Sequence, residues 1–317
     1  MSGIVMFSEL GSGIYCIDAD YVRRGLACFY LLYHRGEIAI IETGTSHSLP
    51  HLQQLMASKS MLPEQVRYVI PTHVHLDHAG GAGAMMAAFP EAELVVHPQG
   101  ARHLIDPAKL IASTIAVYGE EIYRSLYGDI QPVAAERVIR AEDGRVLNLG
   151  GRALEIRDTP GHANHHFCVW DSHSRGWFSG DVFGISYPEL RFGSGNFVLP
   201  TTTPTQFNPQ ALIKSVNLLL SYEPATVYLT HFSNIDEIEG AATLLCRQIE
   251  QYRLIALRLK EREDRVEAIR QALSEYTLQQ LAGFIDTQAP AFYAGLLDMD
   301  MRLNAQGLEV WLARGGS

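Results

Sequence analysis

No run of about 18 consecutive apolar residues occurs in this sequence, so no segment is built to cross a bilayer as a helix. Met1 to Leu10 lacks a basic stretch followed by a long apolar core, and no secretory leader is expected there. Cysteine is sparse. Cys16, Cys28, Cys168 and Cys246 stand far apart without a C-x-x-C pair, which argues against a thiolate zinc site or a disulfide framework. Each reads as a small buried apolar residue. Positive charge is in deficit: 25 Lys and Arg face 35 Asp and Glu, for a formal net charge of −10. A nucleic-acid surface would need a basic stripe, so no nucleic-acid partner is expected. Low-complexity stretches and short-period repeats are also missing. These absences leave a soluble, cytoplasmic, globular chain as the expectation. Its 317 residues and 47% apolar content suit one large α/β domain, or one domain plus a smaller extension.

What is present is concentrated at Thr72-His73-Val74-His75-Leu76-Asp77-His78. Three imidazoles and a carboxylate fall within six residues, directly after the apolar run Tyr68-Val69-Ile70. These are the ligands that zinc and other borderline first-row metals favour. On an extended backbone, side chains at i and i+2 share a side, so His73 and His75 can grip one ion. A turn into helix then swings Asp77 and His78 toward a second position. Two ions about 3.5–4 Å apart form a hydrolytic clamp. Such a site needs further ligands, and three candidates stand where apolar strands run out: His162, Asp181 and His231.

The surrounding pattern is strand–helix, twice over. Strands are expected at 27–33 and 37–42, joined by a turn with His34-Arg35-Gly36, then at 67–71, 93–97, 145–148, 152–157, 166–171, 175–179 and 226–230. Helices are expected at 48–59, 79–89, 107–127 and 208–221. The 107–127 helix rests on the spacing of Leu110, Ile111, Ile115, Tyr118, Ile122 and Tyr123. A Gly/Pro/Thr-rich stretch, 183–206, with Gly193, Gly195, Pro200 and Pro204, reads as a long ordered loop, the kind that is often functional. Past His231 the signal is almost wholly helical, with helices expected at 236–260 and 264–284 and turns at 288–313. Residues 1–234 therefore read as the catalytic domain. Residues 235–317 read as a helical extension, packed on that domain or forming a homodimer interface.

The order His73-x-His75-x-Asp77-His78, His162, Asp181, His231 resembles the metal motifs of the metallo-β-lactamase superfamily over about residues 10–232. Thr159-Pro160-Gly161-His162-x-x-x-His166 resembles the glyoxalase II-like hydrolases in particular. The true β-lactamases carry cysteine where Asp181 stands. The resemblance implies an α+β fold, a four-layer αββα sandwich with metals at the edge between two sheets. It implies two divalent ions, zinc first, with iron or manganese as alternatives. His73, His75 and His162 would hold one ion, Asp77, His78 and His231 the other, and Asp181 would bridge them. The carboxylates Asp77 and Asp181 would serve catalysis, and a hydroxide shared between the ions would be the nucleophile. One position departs from the family: Ile41-Glu42-Thr43-Gly44 has glutamate where aspartate normally stands, and Glu42 is expected to brace the metal loop rather than bind metal. His166 is expected to support the ligands or to donate to substrate. Phe183, Tyr187, Phe197 and His103 are candidate pocket residues. The reading that follows is a hydrolase of a small ester-type substrate, a thioester, lactone or similar. An iron-containing redox member and a regulatory ligand-binding relative are the alternatives.

Overall fold

A computed structural model describes residues 7–193, 195–202, 206–285 and 290–316. Pro204 lies outside them, as do the first six residues of the leader question, the start of the expected 288–313 turns and the side chain of Tyr118. Two sheets carry the chemistry. The first runs β1 (Phe7–Gly11), β2 (Ile14–Asp18), β3 (Cys28–His34), β4 (Glu37–Ile41), β5 (Val66–Ile70), β6 (Glu93–Val96) and β7 (Val138–Arg140), in that spatial order. Pairing is antiparallel through β4 and parallel from β4 to β7. Between β3 and β4 the turn is only Arg35-Gly36, with φ of 48° and 86°, the left-handed pair that a tight hairpin requires.

Then come β8 (Val146–Leu149), β9 (Arg152–Asp158), β10 (Phe167–Asp171), β11 (Gly176–Phe178), a small ribbon of β12 (Arg191–Phe192) and β13 (Gly195–Asn196), β14 (Thr226–Leu229) and β15 (Ser233–Ile235). The second sheet has the order β15-β14-β11-β10-β9-β8. Alternate residues of the two sheets meet in one core: Ile14, Tyr30, Leu32 and Ile41 from the first, Leu154, Ile156, Phe167 and Phe178 from the second. The intervening residues Ile17, Phe29, Leu31 and Ile40 are equally buried. The first sheet is therefore covered on both faces, as its near-continuous apolar strands require. Helix α1 (Leu49–Ser58) packs against β2. Of α2 (Leu76–Ala79) and α3 (Ala82–Ala88), α3 packs against β5 and β6. Burial of this kind contributes about 25 cal/mol per Å².

Two expected helices are broken, each at glycine. The 79–89 segment divides at Gly80-Gly81, because a Cβ on Gly81 would sit 2.6 Å from the carbonyl oxygens of Thr43 and Thr45. The metal loop is thus pressed onto residues 43–45, a closeness only glycine permits. After α4 (Ala101–Ile105), the 107–127 segment divides at Gly119 (φ 82°) into α5 (Ala108–Tyr118) and α6 (Glu120–Tyr127). Strands β1, β7 and β15 were not legible, being short or half-exposed, and neither was β2. The stretch 183–206 contains the β12–β13 ribbon rather than loop alone.

Contacts divide the chain into two compact units. The first is Met1–Asp158, His165–Gly180 and Tyr228–Asn234; the second is Thr159–Asn164, Asp181–Val227 and Ile235–Ser317. In the second, α7 (Pro209–Leu220) starts at Asn208, whose Oδ1 accepts the Ala211 N–H at 3.0 Å. It packs on α8 (Ile238–Leu259), which is followed by α9 (Arg265–Leu281), α10 (Pro290–Leu296) and α11 (Asp298–Ala313). Among the described residues no helix is long and apolar enough to cross a membrane.

Candidate metal centre

Strand β5 ends at Ile70, and the chain leaves the sheet through Thr72 and His73 to enter α2 with His75 as its cap residue (φ −64°, ψ 148°). The extended segment puts the imidazoles of His73 and His75 on one side, with Nε2 and Nδ1 2.8 Å apart. The His73 and His78 rings lie 4.0 Å apart between centroids. The backbone reversal of α2 then delivers Asp77 and His78 next to His231, which follows β14. Asp77 Oδ2 is 3.4 Å from His231 Nε2 and 3.8 Å from His78 Nε2. His78 and His231 are buried, whereas Asp77 keeps 23% of its side chain open to solvent.

His73, His78 and His231 each have one ring nitrogen committed to a neighbour. His78 Nδ1–H donates to Glu42 Oε1 at 2.9 Å. His231 Nδ1–H donates to the Leu26 carbonyl at 2.7 Å, since a carbonyl can only accept. His73 Nδ1 lies 3.1 Å from Thr72 Oγ1, whose own proton goes to Glu42 Oε1 at 2.5 Å. Commitment of one nitrogen fixes the tautomer and turns the lone pair of the other toward the cluster, as metal-binding histidines need. The donor set of Asp77 Oδ2, His78 Nε2 and His231 Nε2, within 4.8 Å of one another, fits a divalent ion.

Glu42 is the hub. It is 1% exposed, sits at φ 64°, and accepts from four donors: Thr72 N (3.0 Å), Thr72 Oγ1, His78 Nδ1 and Thr230 Oγ1 (3.1 Å). One carboxylate thus joins the residue before His73, His78 itself and the residue before His231. Tyr30 adds a second clamp, its hydroxyl lying against the carbonyls of Leu229 and Ser233 on either side of His231. Burial, and after it the neighbouring Cys28, pushes the Tyr30 phenol well above its ordinary value, which keeps it a neutral donor. The roles of Thr72, Thr230, Tyr30 and the Leu26 carbonyl were not read from the sequence. The repeated Thr-His pair at strand ends, Thr72-His73 and Thr230-His231, is the signal that carried two of them.

In the second unit, His162 and Asp181 come together by themselves, with Nε2 and Oδ2 3.4 Å apart and both residues buried. The pattern of committed nitrogens repeats: His162 Nδ1–H donates to the Thr201 carbonyl at 3.3 Å. The turn carrying His162 is pinned to α7, where Ser215 Oγ donates to the Pro160 carbonyl at 2.7 Å.

His166 is buried with its ring 4.8 Å from that of His73. A Cβ on Gly180 (φ 51°) would fall 2.4 Å from Thr72 Oγ1 and 2.6 Å from His166 Nε2, so the backbone itself closes this side. His103, on α4, faces the His165 ring at 6.4 Å. Burial first, and the charge of Arg102 second, lower its pKa and favour the neutral imidazole. Phe183 and Phe197 are fully buried, the latter edge-on to Phe284 at 5.4 Å, and Tyr187 donates to Asp300 Oδ1 at 2.8 Å.

The family model of the metallo-beta-lactamase superfamily matches residues 23–231. The chain belongs to that superfamily. With it comes membership among the superfamily's metal-dependent hydrolases. The metallo-beta-lactamase fold-containing protein ST1585 of Sulfurisphaera tokodaii is 25% identical over 224 residues, 69% of this chain and 78% of that protein. The solved structure of ST1585 superposes with a TM-score of 0.63 at 21% identity, covering 94% of this chain and 98% of that one. The chain is also 29% identical to the acyl-coenzyme A thioesterase MBLAC2 of Gallus gallus over 195 residues, 57% of this chain and 68% of that protein. A hydroxyacylglutathione hydrolase of Aeromonas hydrophila is 25% identical over 141 residues, 44% of this chain and 41% of that enzyme. The two-sheet architecture with helices after it is the fold the motifs implied.

Proposed function

We propose that this protein hydrolyses a small thioester, or a related ester or lactone, with two divalent ions, zinc foremost. Asp77, His78 and His231 would hold one ion and His73, His75 and His162 the other, and Asp181 would be shared by both. When bound, the ions supply an activated water and a Lewis acid for the carbonyl oxygen. Asp77, which keeps 23% of its side chain open to solvent, would orient the incoming water and take up its proton. Glu42 and the Leu26 carbonyl hold His78 and His231 still, and His166 and Gly180 exclude bulk water behind His73. Residues 1–234 carry this chemistry, and 235–317 form the extension. All four cysteines are free, which favours a reducing compartment, the cytoplasm.

One observation carries the reading: the Asp77–His78–His231 donors converge while each imidazole's second nitrogen is committed elsewhere. The thioester class is supported by the named activities of the thioesterase and hydroxyacylglutathione relatives. The test is a panel of thioesters, lactones and phosphodiesters, assayed with zinc-, iron- and manganese-loaded protein beside Asp181→Asn. Thioester turnover that Asp181→Asn abolishes, in protein of unchanged fold, is expected. Visible absorption of bound iron with oxygen consumption and no ester turnover would replace this reading with the redox one. A biological effect that survives Asp181→Asn would replace it with a regulatory one.

A further inference from the structure

The segment that follows Asp181 takes its shape from the last helices of the chain. Val198 O accepts from Gln248 Nε2 on α8. Two residues further on, Asn304 of α11 makes three hydrogen bonds to 200–202, two from its side chain to the backbone and one from its own carbonyl to the Thr202 hydroxyl. Its Nδ2 donates to Pro200 O at 3.1 Å, its Oδ1 accepts the Thr202 N–H at 2.6 Å, and its carbonyl accepts Thr202 Oγ1–H at 2.9 Å. Asn304 is 2% exposed, so these bonds satisfy polar groups that burial would otherwise leave costly. One turn along the helix, Gly307 lies so close that a Cβ there would fall 1.6 Å from Thr202 O. Helix α11 therefore holds the residues on both sides of Thr201.

Thr201 is the residue whose carbonyl accepts His162 Nδ1–H at 3.3 Å. That bond is near the long end of the useful range, so a displacement of a few tenths of an ångström would weaken it steeply. Resting on the reading of His162 as a metal ligand, the geometry points to Asn304 as a positioning residue for that ligand. By fixing 200–202 it sets where the Thr201 carbonyl stands, and so which tautomer and ring orientation His162 presents. The C-terminal helix then belongs to the metal site's support, more than 100 residues after the ligand it serves. Loss of such an outer partner commonly lowers metal affinity about 10–100-fold.

The test uses full-length protein and cobalt(II) titrated against a competing chelator, with elemental analysis and the ligand-field spectrum as readouts. Asn304→Leu keeps the volume and removes the polar atoms. It should weaken one of the two ions about 10–100-fold and shift the cobalt spectrum in the direction that His162→Ala shifts it. Tyr252→Phe is the control: it removes a buried hydroxyl that bonds Thr277 Oγ1 at 2.9 Å and faces Met301 Sδ of α11 at 3.9 Å, so it touches the helix but not 200–202, and it should bind both ions normally. Native affinity and spectrum in folded Asn304→Leu would overturn the proposal, as would an equal loss in Tyr252→Phe. Should Asn304→Leu fail to fold, Thr202→Val replaces it. This variant removes only the Oγ1 bond and should show a smaller loss of the same ion; native binding there would overturn the proposal too. If His162→Ala itself keeps both ions, the fault lies with the ligand assignment and not with Asn304.

Discussion

Glu42→Gln is the most informative single change at this site. The carboxylate is buried and accepts from Thr72 N, Thr72 Oγ1, His78 Nδ1 and Thr230 Oγ1. No acceptor faces it among these partners. A glutamine amide has one acceptor oxygen and an NH2 that must donate. With its oxygen in place of Oε1, the NH2 points at the Thr72 N–H, and two donors confront each other inside the protein. An unsatisfied buried donor costs about 1–3 kcal/mol, and hydrogen bonds to a charged acceptor contribute about 1.5–3 kcal/mol each against less for a neutral one. A net loss of about 3 kcal/mol in urea unfolding of metal-free protein is expected. The second effect is on metal. With His78 and Thr230 held by a neutral amide oxygen instead of a carboxylate, and the 72–73 backbone pushed away by the NH2, affinity at the Asp77–His78–His231 position should fall about 10–100-fold, read by chelator competition. Glu42→Asp, the residue the family normally carries here, withdraws the carboxylate by one methylene and should fall between. A Gln variant within about 0.5 kcal/mol of wild type that keeps both ions tightly would refute the bracing role.

Three further outcomes follow from geometry elsewhere. Burial alone would raise the Asp171 pKa, but the bidentate grip of Arg152 outweighs it and holds the carboxyl below its ordinary value. Its stabilisation is therefore complete above the unfolded value of about 3.9 and drains away as pH falls through the lower folded value; Asp171→Asn should flatten urea-unfolding stability across that acid window, and an unchanged slope would count against the pair. Gly180→Ala should destabilise by about 1–3 kcal/mol and reduce bound metal, because the methyl meets Thr72 Oγ1 and His166 Nε2 at a left-handed φ. Normal metal content in that variant would show that the contact yields easily. Arg137 donates to the carbonyls of Met86 (2.8 Å), Phe89 (2.7 Å) and Ala92 (2.7 Å), so Arg137→Met should lower the melting temperature, through a loss of about 2–4 kcal/mol, without changing metal stoichiometry.

The sequence by itself determined the ligand candidates and most strands of the two sheets. Four candidate ligands fall in one short run, and three further candidates end apolar strands; His162, Asp181 and His231 stand out only when taken in order with His73 to His78. Long apolar strands such as β3 and β4 declare themselves, since a doubly covered sheet demands them. Only the tertiary structure decided what holds the ligands. The imidazoles bond backbone carbonyls of Leu26 and Thr201, which every residue possesses, the Thr72 hydroxyl and the Glu42 carboxylate, while the hydroxyls of Thr230 and Tyr30 brace Glu42 and the backbone beside His231. No side-chain pattern encodes a carbonyl's direction. The helix breaks at Gly81 and Gly119 and the grip of Asn304 on Thr202 were hidden likewise. Such contacts join residues that are distant in sequence, and each becomes visible only when folding sets one backbone against another.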